Sequence, residues 1–76
     1  MVSLNNVREL AQSFLAIADE LNEKVSAYLN GSDRNEDAKA YWTVREADKN
    51  FIDAVNSYYN DSYKYGLNYE LAESFL

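Results

Sequence analysis

Apolar residues recur along the first third of the chain in steps of three and four. From Leu4 they fall at Val7, Leu10, Ala11, Phe14, Ile17, Ala18, Leu21, Val25 and Tyr28. This period puts them on one face of an amphipathic helix. The face is wider than a coiled-coil seam, because the Leu4, Ala11, Ala18, Val25 row runs beside the Val7, Phe14, Leu21, Tyr28 row. Ser3, Asn5 or Asn6 marks the start, the last with Glu9 three residues on as in a capping box, and Asn30-Gly31 marks the end. A helix over about 4–29 is predicted.

Ser32 and Asp33 follow at once, and Asp33 stands three residues before Glu36, a second capping-box spacing. The turn is therefore short, about 30–33, and a second helix over about 34–65 folds back as the other arm of an antiparallel hairpin. No Gly or Pro interrupts that stretch, which would span roughly 48 Å at 1.5 Å per residue. Lys64 and Gly66 signal its end.

Ala40, Ala47 and Ala54 recur every seven residues beside Val44, Phe51, Tyr58 and Tyr65. An alanine row lets a neighbouring helix approach closely, so Phe14 and Leu21 are expected over it. Tyr41, Trp42, Ile52, Val55, Tyr59 and Tyr63 widen the apolar arc to about 200°, more than one packed helix covers. A short helix over about 68–76, capped by Asn68 and carrying Leu67, Leu71, Ala72, Phe75 and Leu76 on one face, is expected to cover part of it. A partner covers the rest, most simply a second copy of the chain in a homodimer. The predicted fold class is all-α: a helical hairpin plus a short C-terminal helix in one domain, 1–76, dimerising into a bundle with coiled-coil-like packing.

Composition narrows the options. A chain of 76 residues buries only about 60% of its unfolded surface. With no Cys and no His, neither a disulfide nor the usual zinc site can add stability. Tight helix packing or self-association is left. The net charge of −6, from 13 acidic and 7 basic residues, repels nucleic acid and anionic membranes and attracts a basic protein surface. No apolar run approaches the roughly 18 residues of a membrane span, and the opening residues carry no basic leader. The expected setting is cytoplasmic, with no direct contact to nucleic acid or membrane.

Catalysis is not expected. The usual general base, thiol nucleophile and Gly-rich phosphate loop are absent, no EF-hand loop is present, and carboxylate di-iron sites normally pair Glu with His. No cofactor or metal is assigned. An acyl-carrier reading fails on the residues: the carrier serine follows Asp at a helix start, whereas Asp61-Ser62 stands near a predicted helix end.

What distinguishes the chain is tyrosine. Five of its seven tyrosines lie between positions 58 and 69: Tyr58, Tyr59, Tyr63, Tyr65 and Tyr69. Tyr offers a large, stiff contact surface with few rotamers to freeze, which interfaces favour. Tyr58 and Tyr65 continue the Val44 and Phe51 seam and read as core or boundary. Tyr59, Tyr63 and Tyr69 lie off it and read either as interface residues or as cover for the C-terminal helix. Trp42 is followed by Arg45 at stacking distance for a cation-π pair, or is a tryptophan at the solvent edge of the core. The interaction surface expected from these residues comprises Trp42, Ile52, Tyr59, Tyr63, Tyr69 and Phe75.

A second group is acidic: Asp19, Glu20 and Glu23 on the first helix, and Asp33, Glu36 and Asp37 at the turn. It reads as a solvated face with helix capping, or as a phosphate-mimicking patch that occupies a nucleic-acid-binding protein. Small, acidic chains rich in Asn and Tyr and lacking Cys are common among phage and mobile-element products that block a host protein. The expected action is therefore non-enzymatic: binding a protein and occluding it. Structural self-association and acidic mimicry are the alternatives.

Overall fold

The computed structural model describes residues 2–76, and every regular element among them is helical. Helix α1 runs Leu4–Glu20, α2 Asn22–Leu29, α3 Asn35–Tyr59 and α4 Tyr69–Glu73. Helices α1 and α2 form one arm of a hairpin and α3 the other. At 25 residues, α3 is about 37 Å long, which accounts for the 39 Å long axis of the molecule.

The start of α1 follows from Ser3. Its hydroxyl accepts the Asn6 N–H at 3.2 Å and donates to the Asn6 side-chain oxygen at 2.9 Å, so one of the orphan donors of the first turn is satisfied. The arm is not one unbroken helix as its periodicity predicts. Leu21 departs from helical geometry (φ −101°, ψ 12°), interrupting the arm without Pro or Gly. The ladder resumes with Val25 N–H on the Leu21 carbonyl at 3.0 Å.

At the tip, Gly31 takes φ 100°. This left-handed residue lets Ser32 N–H reach the Ala27 carbonyl and Gly31 N–H the Tyr28 carbonyl, both at 3.0 Å, as a Schellman closure requires. The predicted Asp33–Glu36 box does not form. Ser32 connects the turn instead, accepting Arg34 N–H at 3.2 Å and donating to the Asp37 carboxylate at 2.6 Å.

The core is made by Val7, Ala11, Phe14, Ala18 and Val25 facing Ala40, Val44, Phe51, Ile52, Ala54 and Val55. The rings of Phe14 and Phe51 lie nearly parallel, centroids 6.1 Å apart. Burying each such ring contributes about 2–3 kcal/mol. Ala40 and Ala54 of the alanine row are buried and Ala47 is half-buried, in keeping with the close approach of the two arms.

The second arm stops at Tyr59, six residues before its predicted end. Asn60 adopts the left-handed conformation (φ 54°, ψ 49°), and its N–H, with that of Asp61 at 3.1 Å, closes on the Asn56 carbonyl. After Gly, Asn enters this conformation most readily. The heptad seam is therefore cut, and Tyr58 and Tyr65, predicted to extend it, are exposed. The chain turns back along α3 and enters α4, shorter than the predicted 68–76. Helix α4 packs on α1, burying Ala72 and laying Tyr69 against Phe14 with centroids 5.4 Å apart. Part of the wide apolar arc of α3 is covered within the chain, Phe75 lying against Phe51, while Trp42, Tyr59 and Tyr63 stay exposed.

Candidate interaction surface

The strap from Asn60 to Asn68 is held by polar side chains that α3 presents at Asp48, Asp53 and Asn56. Asn56 pairs with the Tyr63 backbone in both directions, accepting its N–H at 2.8 Å and donating to its carbonyl at 3.0 Å. Tyr65 donates its hydroxyl to Asp53. Asp48 is fully buried and accepts Gly66 N–H at 2.8 Å, Asn68 N–H at 2.9 Å and the Asn68 side-chain amide at 2.8 Å. Such bonds satisfy a carboxylate removed from water and specify the path of the strap. Sequence reasoning passed over Asp48, Asp53, Asn56 and Asn60. For Asp48 a signal exists: it stands four residues after Val44 and three before Phe51, an acid on the apolar face.

By fixing this path, the strap leaves two aromatic faces open. On the first, Tyr28 of α2 stacks on Tyr41 at 4.8 Å and Trp42 meets Tyr41 edge-on at 5.0 Å. The Arg45 guanidinium lies 5.5 Å from the Trp42 ring centre and 5.7 Å from that of Tyr41, the cation-π arrangement that the spacing suggested. It also donates to the Tyr41 hydroxyl at 2.8 Å, while its Nε is buried without a partner. Farther along, Lys49 sits 5.5 Å from the Tyr65 ring centre and 3.1 Å from the Asp53 carboxylate. Trp42, Arg45, Lys49 and Tyr65 line an open groove of about 460 Å³.

Charge and hydrogen bonding tune this end of the groove. The Tyr65 hydroxyl and the Lys49 ammonium hold the Asp53 carboxyl below its usual value. The same bond to Asp53 raises the Tyr65 phenol, and Asp53 raises Lys49. Elsewhere, burial and then the Asp48 charge raise the Tyr69 phenol.

The second face lies at the opposite end of α3. Tyr58 and Tyr59 meet edge-on at 4.7 Å, and Tyr59 lies 6.3 Å from Phe75. Tyr59, Tyr63 and Phe75 with Leu4 and Arg8 border a cavity of about 350 Å³. Arg8 donates from Nε to the Phe75 carbonyl at 3.2 Å, tying the C-terminus to α1.

The six residues expected to form one surface are therefore distributed. Trp42, Tyr59 and Tyr63 are exposed at 56%, 53% and 44%. Tyr69 and Phe75 are half-buried and seal the core, Phe75 meeting Phe51 edge-on at 5.8 Å. Ile52 is fully buried in the core and presents nothing to solvent. Trp42 and Tyr59, separated by about 25 Å of helix rise, belong to different faces.

Among the acidic residues, Asp19, Glu20, Glu23, Asp33 and Glu36 are exposed. Glu36 pairs with Arg34. Asp37 is buried against Ser32, so it serves the hairpin turn and not the acidic surface. Among the described residues, no three Asp or Glu side chains converge as a metal cage. No protein-family model, curated protein or solved structure matches this chain.

Proposed function

We propose that this chain is a non-enzymatic protein-binding module that regulates a partner by covering part of its surface. The observation that supports this reading is the outward display of Trp42, Tyr58, Tyr59, Tyr63 and Tyr65 on a chain whose own core is already closed. Large aromatic residues that folding does not consume are the usual anchors of a protein interface. The groove of Trp42, Arg45, Lys49 and Tyr65 supplies rigid aromatic walls. The Tyr59, Tyr63 and Phe75 end supplies a second anchor point.

The exposed acids Asp19, Glu20, Glu23, Asp33 and Glu36 steer the module toward a basic partner and accelerate encounter more than they tighten the complex. A cytoplasmic setting fits the composition, and among the described residues no helix is long and apolar enough to cross a membrane. Binding without catalysis, in a chain with neither His nor Cys, acts by occlusion.

The test is capture of proteins from a source lysate by the tagged chain and two variants, Trp42→Ala and the double Tyr59→Ala, Tyr63→Ala. Far-UV circular dichroism verifies that each stays helical. A partner retained by the parent and lost with either helical variant supports the proposal. Identical capture by all three would overturn it.

A further inference from the structure

Two observations point to an exchange of the C-terminal segment between copies. The apolar heptad of α3 continues past the point where the helix stops, since Tyr58 and Tyr65 stand seven and fourteen residues after Phe51. The stop itself rests on Asn60, the one non-glycine residue with positive φ among those described. Between Asn60 and Tyr65 the strap is exposed and is held to α3 by the Asn56 and Tyr65 bonds. Beyond it, the segment from Gly66 to Phe75 makes a separate and richer set of contacts: the three bonds to Asp48, the Tyr69 ring on Phe14, the Phe75 ring against Phe51, and buried Ala72. Strap and docked segment are thus separable parts.

We propose that the groove between α1 and α3 also receives the 66–75 segment of a second copy, giving a reciprocal dimer in which α3 runs on through Tyr65. If Asn60 adopts helical geometry, α3 lengthens by about 9 Å and Gly66, now bonded to Asp48, stands about 27 Å of helix rise beyond it, so the segment cannot fold back on its own groove. Phe14, Phe51 and the Asp48 carboxylate are then uncovered. A foreign apolar helix would cover the rings but leave the buried carboxylate short of donors, a costly state. The Gly66 N–H, the Asn68 N–H and the Asn68 amide of another copy restore all three bonds. Exchange of identical elements needs no new interface, only a changed hinge. It goes beyond partner binding, and it would rebuild the edges of both aromatic faces, because Tyr65 of the first and Tyr63 and Phe75 of the second lie in the part that moves.

Asn60 is the residue to vary. Asn60→Ala disfavours the left-handed turn, and Asn60→Gly favours it. Light-scattering mass across a dilution series is expected to double for Asn60→Ala and to stay monomeric for Asn60→Gly. Exchange is distinguished from surface pairing by Asp19 and Glu73, exposed residues of α1 and α4 that border one cavity. Chains carrying Asp19→Cys are refolded at high concentration with chains carrying Glu73→Cys, once with Asn60 retained and once with Asn60→Ala in both chains, and then oxidised. A disulfide-linked dimer joining the two kinds of chain supports exchange, even if Asn60→Ala alone proves unstable. Its absence in both backgrounds, or a doubled mass without that link, would overturn the proposal.

Discussion

Asp48 and Asn68 are joined twice: the buried carboxylate of α3 accepts the Asn68 backbone N–H at 2.9 Å and its side-chain amide at 2.8 Å. The residue expected to cap α4 with its side chain thus directs that side chain to α3 and receives the acid of another helix in exchange. This pairing anchors the segment that lays Tyr69 on Phe14 and Phe75 against Phe51, and with it the boundaries of both aromatic faces.

Asp48→Ala removes the acceptor for three donors at a site closed to water. A loss of about 3 kcal/mol is expected in urea unfolding, with Asp48→Asn losing less because one oxygen still accepts. A change below about 0.5 kcal/mol would show that the strap is held by its apolar contacts alone.

The Tyr65 bond to Asp53 carries a pH signature. Asp53 titrates below its unfolded value, so its contribution to stability is present above about pH 3.9 and is lost as pH falls through the lower folded value. Tyr65 is raised, so its contribution is present below about pH 10 and is lost as pH rises through the higher folded value. In Tyr65→Phe the Asp53 carboxyl is expected to titrate at higher pH, followed by carbon NMR. An unchanged titration would assign the shift to Lys49.

The two glycines are predicted to differ. Gly31 has φ 100°, so Gly31→Ala is expected to cost about 1–2 kcal/mol. A Cβ at Gly66 would meet nothing within 4 Å and requires no left-handed backbone. Gly66→Ala is expected to stay close to the parent in thermal unfolding, because only its N–H is used.

Trp42 is the single tryptophan and more than half exposed, so its fluorescence reports on the first face without interference. Long-wavelength emission and ready acrylamide quenching are expected in the free protein, with little loss of stability in Trp42→Ala. Emission characteristic of a buried indole in the free monomer would contradict the open groove.

The amino-acid pattern by itself determined the all-helical class, the hairpin with its Asn30-Gly31 turn, and the core-facing rows of Phe14, Val44 and Phe51. These follow from local rules: a 3.6-residue period marks the buried face, and a left-handed Gly ends a helix. The Trp42–Arg45 stack was legible for the same reason, being set by spacing within one helix. The end of α3 was not, because Asn60 competes with a heptad that continues through Tyr65. Only the tertiary structure decided that contest, since the αL turn is repaid by bonds from Asp48, Asp53 and Asn56 to residues 7 to 20 positions away. It likewise put Ile52 in the core and divided the aromatic residues into two faces. Burial by a returning segment depends on where the chain goes next, which no periodicity encodes.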